Sequence, residues 1–157
     1  MKKLLGIAII FSFFVVNGNA NERENELNIL FTQLKISEAK TALKIENKIW
    51  KIWSTHPSND IEGSRLTKLL AKGSFLMSGK ELDKAYEIFS QIILIDPNWS
   101  EAWNKRATVL YLLGRYQQSQ KDIDKVLKLE KRHFGALSGQ GLVQIELKNY
   151  EKAINSY

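Results

Sequence analysis

The fold is decided by residues 97–133, PNWSEAWNKRATVLYLLGRYQQSQKDIDKVLKLEKRH, because this stretch aligns with the sequence on both sides of it. A displacement of 34 residues in either direction brings residues of the same kind together. The matching sets are Leu69 with Trp103 and Leu137, Gly73 with Ala107 and Gly141, Leu82 with Tyr116 and Tyr150, Ala85 with Ser119 and Ala153, and Phe89 with Ile123 and Tyr157. Five sets that agree at one period predict a stacked array of helical hairpins.

Short turns divide this array into pairs of amphipathic helices. Residues 79–80, 114–115 and 148–149 each interrupt a helical pattern of apolar residues, and short turns make the partners of a pair antiparallel. No strand pattern occurs, so the predicted fold class is all-α. The array covers residues 58–157, with repeats at about 66–99, 100–133 and 134–157, the last one incomplete. The residues predicted to pack the repeats are Leu69, Gly73, Ala85, Phe89, Pro97, Trp103, Ala107, Tyr116, Ile123, Gly141, Ala153 and Tyr157.

Residues 21–57 do not follow this period. Apolar residues at three- and four-residue spacing predict two helices there, which we expect to cap the apolar face of the first repeat. Trp50 and Trp53 lie beside Ile49 and Ile52, so we predict that they pack in a core and do not form a ligand-binding aromatic pair.

Residues 1–20 have the pattern of a secretory signal peptide. Lys2 and Lys3 precede an uncharged apolar run from Leu4 to Val16, and small residues end at Ala20. These 13 apolar residues fall short of the roughly 20 that a transmembrane helix needs. We therefore predict cleavage after Ala20, a periplasmic or secreted protein, and no stable membrane span in the mature chain.

The composition excludes several functional classes. Cleavage removes two of the 23 basic residues, and the remaining 21 exceed the 17 acidic residues by only 4. This mild, interspersed charge does not predict a nucleic-acid surface. The chain has no cysteine, so helix packing alone must stabilise it even in an oxidising compartment.

No pattern of catalytic or metal-binding residues is present. The two histidines, His56 and His133, lie in different segments, and no glycine-rich phosphate loop or metal-binding motif occurs. We interpret His133 as a surface or turn residue. The sequence therefore predicts a non-catalytic protein without a cofactor.

The repeats resemble the tetratricopeptide repeat (TPR) family over Leu66–Tyr157. The first copy matches the family pattern at five of the packing positions. The middle copy keeps Trp103 and Ala107 but departs at Arg106, where leucine is usual, and at Ile123, where phenylalanine is usual. The chain is also similar to small exported TPR proteins of alphaproteobacterial type. This resemblance implies a right-handed helical solenoid that binds a protein or peptide on the concave face of its first helices.

The predicted partner-binding residues are those left over from packing on these first helices. They are Glu101, Asn104, Lys105, Thr108, Tyr111, Ser138 and Leu142, with Leu70 and Gly135 among their neighbours. The family's chaperone-tail clamp of lysine, asparagine and arginine is not supported, because other residue types occupy most of its positions. The alternative function is a self-associating structural or non-catalytic subunit of an envelope complex, and a merely solvated helix face also remains open.

Two further expectations concern Arg106 and the end of the chain. Arg106 has two open arrangements: its stem packs while its head reaches solvent, which is our prediction, or it pairs with a carboxylate or a ligand anion. We also expect the natural chain to continue after Tyr157, because Ala153 and Ile154 would otherwise lie on an uncovered apolar face.

Overall fold

The computed structural model of the protein describes the backbone of residues 7–156 and the side chains of residues 21–156. This part of the chain contains helices and no strand, so the all-α prediction is confirmed. The helices are α1 (Ile7–Ile36), α2 (Ala39–Ser54), α3 (Ile61–Ser78), α4 (Leu82–Ile95), α5 (Ser100–Leu112), α6 (Tyr116–Leu129), α7 (Phe134–Glu146) and α8 (Tyr150–Ile154). Tyr157, one of the predicted packing residues, lies outside the described residues.

The chain divides into two compact units, residues 1–64 and 65–157. In the first unit, α1 and α2 bury a core of Leu27, Leu30, Ile45, Ile49 and Trp53. The Trp53 ring lies 5.5 Å from Trp50 in an edge-on arrangement and 5.9 Å from Phe31, so Trp53 is a core residue. That α1 and α2 cap the first repeat stays a prediction.

Helix α1 is longer than the sequence pattern predicted. We expected the first helix to begin near Asn21, whereas the backbone of α1 is continuous from Ile7 through the predicted cleavage position at Ala20. Within residues 7–156, no helix combines the length and the apolar character that crossing a membrane requires.

In the second unit, the helices pair as α3 with α4, α5 with α6, and α7 with α8. The turn inside each pair contains one residue with left-handed backbone: Lys80 (φ 63°), Gly114 (φ 72°) and Lys148 (φ 60°). These residues are 34 positions apart, so the turn geometry follows the same period as the packing residues. Only Gly114 has a residue type that adopts this conformation without steric cost.

An apolar cluster, which we call the first junction, joins α3 and α4 to α5. Gly73 is required there, because a Cβ atom at this position would lie 2.6 Å from Cε1 of the Phe89 ring. Leu70, which we expected on the groove face, is 2% exposed and belongs to this core. The buried residues of the first junction are Leu66, Leu70, Ala85, Phe89, Ile92, Ile93, Trp99, Ala102 and Val109.

A mixed cluster, which we call the second junction, joins α5 and α6 to α7. Its buried apolar residues are Ala107, Ile123, Val126, Ala136 and Val143. Buried polar side chains accompany them: Glu101, Asn104, Ser119, His133 and Gln144. Every buried residue in positions 65–100 is apolar or glycine, so the two junctions differ in kind.

The other predicted packing residues have several environments. Trp103 is partly buried and contacts both junctions. Leu69 and Tyr116 are also partly buried, whereas Gly141 and Ala153 are buried. Pro97 was predicted to pack between repeats, but its side chain is exposed. It lies in the turn after α4, where its carbonyl accepts a hydrogen bond from Nε1 of Trp103 at 3.0 Å.

Candidate partner-binding groove

Helices α5, α6 and α7 surround a cavity of about 210 Å³ within the second junction. Five of the seven predicted partner-binding residues line it: Asn104, Thr108, Tyr111, Ser138 and Leu142. The other lining residues are Ala107, Ser119, Ile123, Gly135, Gly139 and Val143. A Cβ atom at Gly139 would lie 3.6 Å from Cδ1 of Ile123, which is an ordinary contact. Glycine is therefore not required at position 139 for close helix packing. The small residues on α5 and α7 instead leave room for a guest.

Glu101 lies inside the protein, whereas we had predicted it on the groove surface. Its side chain is 0% exposed, and Oε2 lies 3.0 Å from Nε2 of His133 and accepts a hydrogen bond from Nδ2 of Asn104 at 3.1 Å. The ammonium group of Lys105 lies 3.2 Å from Oε1, where it forms an ion pair without hydrogen-bond geometry. A buried carboxylate is stable only with such partners, so Glu101 organises the groove wall and does not face a ligand.

His133 is fully buried, whereas we had interpreted it as a surface or turn residue. It caps the N-terminus of α7, because its Nδ1 accepts the backbone N–H of Ala136 at 3.2 Å. This assignment leaves the proton on Nε2, which donates to Glu101. A signal for burial was present in the sequence, because His133 lies 34 positions after the buried Trp99.

Several polar groups of the cavity lining are satisfied inside the protein. The hydroxyl of Thr108 donates to the carbonyl of Asn104 at 3.0 Å, and the hydroxyl of Ser119 donates to the carbonyl of Ala107 at 2.8 Å. The amide of Asn104 is bound to Glu101. The surface that remains for a partner is therefore largely apolar.

Tyr111 and Leu142 line the cavity, and each has an aromatic or aliphatic neighbour on the same part of the protein. The ring of Tyr111 lies 5.6 Å from that of Tyr116 in a tilted arrangement. Burial raises the pKa of Tyr116, and the neighbouring Glu146 carboxylate raises it further, so this phenol remains neutral. Leu142 is 43% exposed and Ile145 47% exposed on α7. Exposed apolar side chains next to a cavity are typical of a docking surface.

Arg106 pairs with a carboxylate, so our prediction that its head reaches solvent was wrong. Its guanidinium donates to both oxygens of Asp122 on α6, at 2.7 and 2.8 Å, and to the hydroxyl of Ser90 at 3.2 Å. It also lies 4.9 Å from the centre of the Trp103 ring. Burial alone would lower the pKa of Arg106, but Asp122 outweighs it and the pKa is raised. The usual leucine is replaced here by an ion pair with a structural role.

The first unit contains a wider depression of about 540 Å³. Acidic and basic side chains both line it, and Nη2 of Arg23 donates to the carbonyl of Ile52 across it at 2.5 Å. The lining combines charges of both signs, so its composition does not select one class of ligand. Among the described side chains, no group of three or more His, Asp or Glu residues is placed to hold a metal ion.

Comparison with known proteins identifies relatives of the chain. A family model for the tetratricopeptide repeat matches residues 100–133. A TPR repeat-containing protein of Rhizobium etli is 32% identical over 142 residues, which cover 85% of this chain and 67% of that protein. The Hsp70-Hsp90 organizing protein 3 of Arabidopsis thaliana is 28% identical over 86 residues, which are 55% of this chain but only 15% of that protein.

Solved structures show the same fold. The TPR domain of Sgt2 from Aspergillus fumigatus superposes with a TM-score of 0.57 and 24% identity, over 59% of this chain and 62% of that one. MamA superposes with a TM-score of 0.50 and 17% identity, over 90% of this chain and 82% of that one. The predicted helical-hairpin solenoid is thereby confirmed.

Proposed function

The chain belongs to the tetratricopeptide repeat family, and from this premise we propose that it binds a peptide or protein partner in the groove formed by α5 and α7. The observation that carries the proposal is the cavity of about 210 Å³ in the second junction, with five predicted partner-binding residues around it. Concave sites with an apolar lining are the usual places of recognition. In this proposal the protein is a non-catalytic scaffold or adaptor.

We further propose that the protein is exported and serves the cell envelope. Support comes from residues 1–20, which have the charge, apolar run and small residues of a signal peptide. The test is mass spectrometry of the protein from the periplasm and the medium. A chain that starts at Asn21 is expected, and full-length protein in the membrane fraction would contradict export.

The groove is tested by capturing partners from an envelope extract with the purified protein and with Tyr111→Ala. A matched control is Tyr150→Ala, which removes a tyrosine that is 61% exposed on α8. We expect Tyr111→Ala to lose the partner that the original protein and Tyr150→Ala retain. Retention by all three proteins would contradict binding in the groove.

Self-association is separated from this proposal by size-exclusion chromatography with light scattering. A monomer at low micromolar concentration is expected. A stable oligomer at that concentration would favour the alternative of a self-associating structural subunit.

A further inference from the structure

The volume of the cavity in the second junction limits what it can hold. At about 210 Å³ it is larger than the engineered apolar cavity of about 150 Å³ that binds benzene. It is smaller than the roughly 300 Å³ at which pockets for drug-sized ligands and cofactors begin. The cavity therefore fits one large side chain and not a whole cofactor.

The chemistry of the lining selects an apolar guest. Three of its polar side chains, Asn104, Thr108 and Ser119, already donate hydrogen bonds to protein acceptors. Apolar groups and backbone supply most of the remaining surface. A polar guest would lose its hydration here without gaining equivalent hydrogen bonds, whereas an apolar guest gains by leaving water.

Charge complementarity leads to the same guest. Lys105, which follows the lining residue Asn104 in the sequence, is 23% exposed and forms an ion pair with the buried carboxylate of Glu101. The residues that line the cavity include no charged side chain. The site therefore has no net charge to attract either an acidic or a basic group.

Two features favour an aromatic ring over an aliphatic chain. Tyr111 lines the cavity, and its ring, which packs at 5.6 Å against Tyr116, is an aromatic partner for a third ring. In addition, the lining residue Ile123 is the counterpart of Phe89, so a phenyl ring present in the preceding repeat is missing here. We propose that the cavity receives an aromatic side chain of the partner; this inference rests on the proposed function of the groove.

The test is a titration of the isotope-labelled protein with N-acetyl-phenylalanine amide, in which NMR measures the shifts of the backbone amide signals. We expect saturable shifts of the amide signals of Gly135, Gly139 and Val143. N-acetyl-alanine amide and N-acetyl-aspartate amide are the matched apolar and acidic controls. Both should bind at least about tenfold more weakly, which is the discrimination that an apolar pocket gives for a missing hydrophobic group.

Two substitutions fill the cavity from opposite sides. Ile123→Phe restores the residue type of the preceding repeat, and Gly139→Leu adds a side chain from α7. Both should abolish the probe-induced shifts while the melting temperature stays the same or rises, so a loss of binding would not reflect unfolding. Lys128→Ala, which removes an exposed charge on α6 away from the cavity lining, should leave the affinity for the phenylalanine probe within about twofold, because a surface charge contributes little.

Several results would overturn the inference. They are the absence of shifts at the three amides, tighter binding of the aspartate probe, or undiminished binding by both filled variants. The proposed function is judged separately with a captured partner. If that partner is lost with Tyr111→Ala but bound normally by Ile123→Phe, the groove is correct and the aromatic guest is wrong. If all variants bind it normally, the groove itself is wrong.

Discussion

The two junctions of the second unit occupy corresponding positions of the 34-residue repeat, yet their buried side chains differ. Trp99 and Phe89 in the first junction correspond to His133 and Ile123 in the second. The first is filled by apolar side chains, whereas the second combines a buried carboxylate, a buried histidine and a cavity. Replacing buried charges by well-packed apolar side chains is often neutral or stabilising, so stability alone does not require the polar side chains of the second junction.

The difference also concerns what each junction leaves accessible. The Phe89 ring is 0% exposed and lies so close to Gly73 that no side chain fits between them. In the second junction, a Cβ atom added at Gly139 would lie 3.6 Å from Cδ1 of Ile123, which is an ordinary contact distance, and both residues line the cavity. Phe89 therefore leaves no room beside Gly73, whereas the second junction contains open space beside Ile123.

The largest effect is expected from Phe89→Ala in the first junction. Removal of a fully buried ring leaves a cavity, and the free energy of unfolding should fall by about 3–5 kcal/mol. Ile123→Ala should cost less, near 2 kcal/mol, because its side chain already borders an open cavity. Urea denaturation of both variants measures the difference, with Leu94→Ala, an exposed position on α4, as the control. Equal costs for Phe89→Ala and Ile123→Ala would contradict the contrast between the junctions.

A smaller loss is expected from His133→Ala in the second junction. The substitution removes the cap of α7 and a hydrogen bond to the buried carboxylate of Glu101, and a hydrogen bond to a charged group contributes about 1.5–3 kcal/mol. A double-mutant cycle with Glu101→Leu measures the coupling between the two side chains. If the two single effects simply add, the pair does not act as a unit and the second junction is not organised around it.

The sequence predicted the hairpins because their determinants are local and repeated. The small residues, the large apolar residues and the turns recur at one period, which makes the helix pairs visible without any long-range contact. The paired polar residues could not be read in this way. Asp122 is 16 positions from Arg106, and His133 is 32 positions from Glu101, and neither separation marks a helical face. Comparing repeats would have flagged His133, because its counterpart Trp99 suits a core position.

The groove could be predicted in part for the same reason. Thr108, Tyr111, Ser138 and Leu142 are unused by the packing pattern, and the structure places them around the cavity. Glu101 shares the same helical face, but its carboxylate is buried against His133, which lies 32 positions later and caps α7. Which residues of this face remain accessible therefore depends in part on pairing between side chains that are distant in the sequence.

Tyr111→Ala is expected to weaken partner binding by about 1–3 kcal/mol, since a partly exposed aromatic side chain in a groove is a typical hot spot. Titration calorimetry with a captured partner measures this effect, and Tyr150→Ala is the matched control.

Asn104→Ala is a less selective variant than the sequence suggested, because Asn104 is 6% exposed and bound to Glu101. It should lower stability together with affinity, and an unchanged melting temperature would contradict this reading.

The smallest effect should come from the turns inside the helix pairs, whose left-handed residue is common to all three repeats even though the junctions differ. Lys148→Gly should raise the free energy of unfolding by about 0.5–1 kcal/mol. A left-handed backbone costs a lysine about 1–2 kcal/mol, which exceeds the added flexibility of glycine in the unfolded chain, about 0.5–1 kcal/mol. Gly114→Lys should lower stability by a similar amount. Thermal unfolding monitored by circular dichroism measures both effects. A loss of stability in Lys148→Gly or a gain in Gly114→Lys would contradict the shared turn geometry.

The most direct test of the second junction as the recognition site is NMR shift mapping of the labelled protein with a partner captured from the envelope extract. The account predicts that the largest amide shifts fall in residues 104–111 of α5 and 135–145 of α7, with little change in residues 82–95 of α4. Shifts concentrated in α4, with α5 and α7 unchanged, would show that the partner binds elsewhere and would contradict the account.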